Sequence, residues 1–99
     1  MPTDIDSLDE QSVVSGNYTA DAADEVIIWD DTQGGGSIQL LAVSLVEQEQ
    51  ITITNLTTYT LRVIANASDK IQKTYDEVRF RSGTIIFYKL QDGTGWALR

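Results

Sequence analysis

The fold class is decided by residues 25–37, which read EVIIWDDTQGGGS. The first six of these residues are rich in β-branched and aromatic side chains, so they predict a strand over 25–30. The three glycines that follow adopt positive φ without steric cost, so 31–37 predict a chain reversal between two strands. An alternating strand over 37–40 then continues the pattern.

The same succession of short strands and turns continues to the end of the chain. Further strands are predicted over 50–54, 59–65, 78–81, 84–90 and 96–99, with turns at 55–58, 66–69, 82–83 and 92–95. Turn signals about every ten residues predict an all-β fold, a small antiparallel sandwich or barrel-like domain. Residues 42–50 fit either a helical turn or a loop that crosses between sheets, and the conformation of 66–77 is left open.

Composition excludes several classes of function. The chain has 99 residues, one domain's worth, with fifteen acidic and seven basic side chains and a net charge of −8. That charge disfavours nucleic acid and anionic membranes, since both need a basic surface. The absence of Cys and His removes thiol nucleophiles, disulfides, imidazole bases and most zinc sites. We therefore expect no enzymatic activity, no catalytic residue, no metal site and no cofactor.

The N-terminal segment differs from the rest. Residues 1–15, MPTDIDSLDEQSVVS, are acidic and follow neither the helical nor the strand period, and they show no signal peptide. We interpret them as an N-terminal arm, with 16–99 as a single β-domain. A tail without a role is the alternative interpretation.

Charge is unevenly distributed along the chain. Residues 1–61 carry eleven acidic and no basic groups, whereas 62–99 carry seven basic and four acidic groups. This split either holds two halves of one fold together or pairs the acidic part of one subunit with the basic part of another.

Several predicted strands are apolar on both faces, which a domain this small cannot cover with one core. In the 25–30 strand, for example, Val26 and Ile28 oppose Ile27 and Trp29. We therefore predict that one such face lies in a subunit interface, and a strand buried on both faces inside its own domain is the alternative. The predicted interface residues are Ile27, Trp29, Ile64, Ile86 and Tyr88.

The order of the motifs resembles a β-domain of tailed-bacteriophage virion proteins, found in capsid decoration proteins, head fibres and tail fibres. The matching segments are NYTAD at 17–21, DEVIIWD at 24–30, the turn and strand over 32–41, ITI at 51–53, LRV at 61–63, the apolar strand 85–90 and DGTGW at 92–96. They span about four-fifths of the chain. The chain departs from the family pattern at 42–50, where a proline and small residues are usual, and at 66–73, where a glycine-rich loop is usual.

The resemblance implies a trimeric protein of the virion, made in the host cytoplasm. We expect a capsid decoration (cement or head-knob) protein whose partner is the major capsid protein or another virion protein. The arm would attach to the shell or to the basic segment of an adjacent subunit, through residues Asp4, Ile5, Asp6, Leu8, Asp9 and Glu10. A tail fibre tip or tail adaptor that contacts the host surface, with a possible glycan ligand, is one alternative. A carbohydrate-binding module that uses aromatic side chains is another.

Overall fold

The computed structural model describes residues 11–31 and 34–99, apart from the side chains of Gln11 and Ser12. Ten strands are described: β1 (Gln11–Val14), β2 (Asn17–Thr19), β3 (Val26–Trp29), β4 (Gly36–Gln39), β5 (Gln50–Asn55), β6 (Leu61–Ile64), β7 (Lys70–Ile71), β8 (Glu77–Phe80), β9 (Gly83–Lys89) and β10 (Gly95–Leu98). The all-β class predicted from the alternating pattern is confirmed. Within the described residues, the only helical segment is a 3-10 turn over Val43–Leu45.

The strands form two sheets, and the chain passes from one to the other at almost every connection. The six-stranded sheet has the order β1-β3-β5-β9-β10-β7, and the four-stranded sheet has the order β2-β4-β6-β8. Strands β1 to β6 therefore wind as a coil, in which β1 pairs with β3, β2 with β4, β3 with β5 and β4 with β6. Strands β8 and β9 close this coil with antiparallel partners.

The predicted antiparallel arrangement was wrong, because both sheets are mixed. Of the eight strand pairings among the described residues, five are parallel, including β1 with β3, β3 with β5 and β4 with β6. The glycine run at 34–36 consequently does not reverse the chain within a hairpin. It carries the chain from β3 in one sheet to β4 in the other. The 92–95 turn does join two antiparallel neighbours, β9 and β10, as predicted.

The strand pattern begins earlier than the predicted domain boundary at residue 16. Residues Gln11–Val14 form β1, which pairs in parallel with Val26–Trp29. The arm predicted over 1–15 therefore contains the edge strand of the six-stranded sheet, whereas residues 1–10 lie outside the described part. Residues 42–50 combine both predicted possibilities, since they cross between the sheets and contain the 3-10 turn.

The core lies between the two sheets and is built by alternation along each strand. Its fully buried large side chains are Trp29, Trp96, Phe87, Ile27, Ile38, Leu40, Ile51, Ile53, Leu61, Ile71, Val63 and Asn55. Fully burying an aliphatic or aromatic side chain contributes about 1.5–3 kcal/mol relative to exposure. The sandwich is therefore stabilised mainly by the facing inner rows of β3, β5, β6 and β9.

Gly36 lies where two crossing segments approach each other closely. A Cβ added there would collide with the backbone of Gly16 and with the ring of Trp29. The Trp29 indole N–H donates to the Gly16 carbonyl at 3.0 Å, and the Ser37 N–H donates to the same oxygen at 3.1 Å. Gly36 is therefore required by packing, while Gly34 alone of the glycine run has positive φ, at 135°.

Asn55 ties the end of β5 to the opposite sheet. Its amide nitrogen donates to the carbonyls of Tyr59 at 2.9 Å and Phe80 at 3.1 Å. Its amide oxygen accepts from the N–H and the hydroxyl of Thr57, each at 2.8 Å. Since Asn55 is 1% exposed, these four bonds satisfy a buried polar side chain at the corner where the chain leaves the six-stranded sheet.

Candidate interaction surfaces

Two of the predicted interface residues belong to the core. Ile27 and Trp29 are both 0% exposed and pack inside the chain's own sandwich. Placing them in a subunit interface was therefore wrong. Alternation correctly placed them on the opposite face of β3 from Val26 and Ile28. The face that points outward, however, is the one with Val26 and Ile28, which are half-buried.

The outer side of the six-stranded sheet carries a surface of apolar and threonine side chains, which we call the outer apolar face. It consists of Val13, Val26, Ile28, Ile86 and Tyr88, interleaved with Thr52, Thr54 and Thr84. Cross-strand pairing aligns Val13, Ile28, Thr54 and Thr84 in one row, and Val26, Thr52 and Ile86 in the next. Val13 is 68% exposed. Of the predicted interface residues, Ile86 and Tyr88 lie on this face.

The outer apolar face carries no carboxylate on its strands. Outward positions of β1, β3, β5 and β9 hold aliphatic, aromatic, Thr and Gln side chains. The Arg99 guanidinium lies 4.9 Å from the centroid of the Tyr88 ring, in cation–π contact. The hydroxyls of Thr54 and Thr84 are 2.9 Å apart and hydrogen-bonded, so these two polar groups satisfy one another. Covering Thr54 and Thr84 with apolar atoms therefore leaves these two hydroxyls paired with each other.

Ile64 lies elsewhere, on the outer side of the four-stranded sheet. It is half-buried and pairs with Gln39 on one side and Glu77 on the other. The predicted interface residues that remain on the surface are therefore divided between two opposite sides of the sandwich. They cannot form one contiguous patch.

A charge cluster occupies this second outer side. Glu77 accepts hydrogen bonds from Arg62 Nε at 3.1 Å, from a terminal nitrogen of Arg62 at 2.6 Å and from Arg79 Nε at 2.7 Å. Hydrogen bonding by Arg62 and then by Arg79 lowers the pKa of Glu77 to about 2. The same contact raises the pKa of Arg62.

A groove of about 460 Å³ lies beside this cluster, and we call it the arginine groove. It is lined by Asn17, Gly35, Gly36, Thr60, Arg62 and Arg79. These residues lie near the starts of β2, β4 and β6 and on β8, so the fold assembles the groove from four separate parts of the sequence. No motif in the sequence indicated it, because its residues are distant along the chain.

A second cavity, of about 420 Å³, lies among the loops near β7 and β10. Its lining includes Lys70 and Lys73. Lys70 pairs with Asp76 at 2.5 Å, and Lys73 pairs with Asp92 at 2.7 Å. Hydrogen bonding from Lys73 is the largest cause that lowers the pKa of Asp92. Each lysine is therefore already neutralised by its own carboxylate.

The ion pairs bear on the first interpretation of the uneven charge, in which the acidic and basic halves of one chain attract each other. All four ion pairs among the described residues join partners within 62–99: Arg62–Glu77, Lys70–Asp76, Lys73–Asp92 and Arg79–Glu77. They therefore do not bridge the acidic half and the basic half of the chain. The other interpretation, pairing between subunits, stays a prediction.

Six predicted site residues, Asp4, Ile5, Asp6, Leu8, Asp9 and Glu10, lie outside the described residues. No helix within 11–31 or 34–99 is long and apolar enough to cross a membrane. No protein-family model matches the chain, and no curated protein matches its sequence significantly.

Proposed function

We propose that this chain is a non-enzymatic structural protein of a bacteriophage virion, which decorates the capsid as a trimer assembled through the outer apolar face. The observation on which the assembly rests is this face, whose described strands carry no carboxylate, on a chain with a net charge of −8. The virion role rests on the order of sequence motifs, which resembles that of phage decoration and fibre domains.

Electrostatics supports association through this face. Copies of a strongly acidic protein repel one another, and the repulsion is weakest where a surface carries no carboxylates. Here Val13 on β1, Ile28 on β3 and Ile86 on β9 contribute apolar side chains, and β5 lies between β3 and β9. In a trimer the three faces surround a common axis, so each face contacts two neighbours and its half-buried side chains lose their remaining solvent contact.

Apolar burial must exceed the cost of association. Burial contributes about 25 cal/mol per Å² of apolar surface, whereas association costs an estimated 4–15 kcal/mol in lost freedom of motion. The apolar area of this face is small relative to what is needed to offset this association cost. Attachment to a threefold site on a shell would lower the cost, because the shell presents the three copies to one another at high effective concentration.

Two adjacent residues of β3 provide a sharp test. Ile28→Asp places a charge on the outer apolar face, so we expect a folded monomer whose circular dichroism matches the native protein. Ile27→Asp buries the same charge in the core, and we expect it to unfold the chain, because an unpaired buried charge costs several kcal/mol. Ile64→Asp, on the opposite outer side, is the control that should leave the assembly intact.

Light scattering at micromolar concentration measures the mass of each variant. We expect three times the 11.0 kDa chain mass for the native protein and for Ile64→Asp, and the single-chain mass for Ile28→Asp. A native protein that stays monomeric both in solution and on the particle would refute the trimer.

Cryo-electron microscopy of the particle tests the virion role directly. Density matching this sandwich at threefold positions on the shell supports capsid decoration. Density at the tail instead would replace it with a tail tip or adaptor, and absence from the particle would overturn the virion role altogether.

A further inference from the structure

The arginine groove is a positively charged site on an acidic protein. Two of its lining residues, Arg62 and Arg79, are cationic, and none of the lining residues that the structure describes is a carboxylate. Glu77, which binds both guanidiniums, lies outside the lining. The Arg79 side chain is 65% exposed, and the hydrogen bond described for it uses only Nε. Its terminal nitrogens therefore present donors in the fork geometry that matches a carboxylate.

A third guanidinium stands at the rim of the groove. Arg81 Nε donates to the hydroxyl of Thr60, a lining residue, at 3.3 Å. Three arginines thus lie in or beside the groove, and Glu77 is hydrogen-bonded to two of them. The charged lining residues that the structure describes are both cationic, opposite in sign to the net charge of the chain.

The floor of the groove is bare backbone. Gly35 and Gly36 line it without side chains, and Gly36 cannot be replaced because a Cβ would collide with Gly16 and Trp29. The groove, of about 460 Å³, accommodates a few residues of an extended acidic peptide.

The chain itself contains an acidic segment whose charge is opposite to that of the arginine groove. Residues 1–10 carry Asp4, Asp6, Asp9 and Glu10 and no basic side chain. They lead into β1, which begins at Gln11, and β1 runs toward the start of β2 at Asn17, a lining residue of the groove. The segment 1–10 is therefore attached at the end of β1 opposite to the end that leads to Asn17.

We propose that the arginine groove binds the acidic segment 1–10 of a neighbouring copy. This inference rests on the proposed self-association, since it needs a neighbour, and it decides between the shell and an adjacent subunit as the target of the segment. The carboxylates bind the free donors of Arg62 and Arg79, and the extended backbone lies over Gly35 and Gly36.

Peptide binding to the full-length chain tests the groove separately from assembly. The receptor is the full chain carrying Asp4→Asn, Asp6→Asn, Asp9→Asn and Glu10→Gln, so that its own segment does not compete. The probe is a fluorescein-labelled peptide of residues 1–10, followed by fluorescence anisotropy at low ionic strength. We expect saturable binding that weakens as salt is added, because exposed ion pairs are screened.

Arginine variants locate the site. In the same receptor, Arg62→Gln with Arg79→Gln should weaken binding about three- to tenfold, as expected for two exposed ion pairs. Lys73→Gln, which removes an exposed paired cation outside the groove, should leave affinity unchanged. Equal affinities in the arginine and lysine variants, or no binding by the peptide, overturn the proposal.

Failure of the groove inference and failure of the proposed trimer give different results. If the native chain is trimeric but the peptide does not bind, the groove inference fails and the assembly stands. If the peptide binds through the arginines while the native chain stays monomeric, the groove is a genuine acidic-peptide site and the trimer fails.

Discussion

Asn55→Asp should destabilise this protein more than any other exchange of an amide for a carboxylate among the described residues. The substitution preserves shape, and the oxygen that accepts from Thr57 is retained. The amide nitrogen becomes an oxygen, which then faces the carbonyls of Tyr59 and Phe80 at about the present 2.9 and 3.1 Å. Two hydrogen bonds become two repulsive contacts in a position that is 1% exposed.

The magnitude follows from the groups left unpaired. A hydrogen bond lost at a buried polar group costs about 1–3 kcal/mol, so the loss of both amide bonds at the buried position 55 costs about 2–6 kcal/mol before the burial of the charge is counted. Domains of this size have a total stability of about 5–15 kcal/mol. We therefore expect a melting temperature lower by at least about 10 °C, since 1 kcal/mol shifts it by roughly 4–8 °C.

The effect of pH gives this prediction a second readout. Burial and the facing carbonyls raise the pKa of the new carboxyl in the folded state above its unfolded value. The destabilisation should then be complete above that raised pKa, and it should shrink as the pH falls toward about 3.9, the unfolded value for Asp. The protonated acid regains a donor for one of the two carbonyls.

Urea unfolding at pH 7 and pH 4, followed by tryptophan fluorescence, measures both effects. Asn17→Asp is the matched control, because Asn17 is exposed and its oxygen accepts from the Ser37 hydroxyl, a bond that a carboxylate keeps. The control should change the free energy of unfolding by less than about 0.5 kcal/mol. If Asn55→Asp were as mild as Asn17→Asp, the assignment of Asn55 as the tie between the sheets would be wrong.

Two further predictions concern a buried donor and an ion pair. Trp29 donates to Gly16 at 3.0 Å, whereas the equally buried Trp96 N–H has no acceptor among the described atoms. Exchange for Phe should therefore cost about 1 kcal/mol more at position 29 than at 96 in urea unfolding, and equal costs would contradict the hydrogen bond. Because Arg62 is the first cause that lowers the pKa of Glu77 to about 2, the stability that Glu77 contributes is present above its ordinary value of 4.5 and is lost as the pH falls toward 2. The melting temperatures of the native protein and Glu77→Gln should thus converge over that range in calorimetry, and a constant difference down to pH 2 would contradict the pairing.

Local sequence pattern determined where most strands lie. The β-branched run at 25–30 and the strict alternation at 50–54 correspond to β3 and β5, and the glycine turn at 92–95 joins β9 and β10. Alternation also placed Ile27 and Ile28 on opposite faces of β3. These features are local, because a strand's period of two and a tight turn's need for glycine depend on neighbouring residues alone.

Only the tertiary structure decided which strands pair and which face turns inward. Backbone hydrogen bonds do not depend on side-chain identity, so β3 pairs as readily with β5 in parallel as with a hairpin neighbour, once the connections cross between sheets. For the same reason, alternation cannot say whether Ile27 or Ile28 enters the core. That choice depends on the second sheet. There Gly36, which has no side chain, leaves room for the Trp29 ring, and Ile27 lies on the same face of β3 as Trp29 and is buried with it. The arginine groove also exists only after folding, since segments distant in sequence must first be brought to one surface.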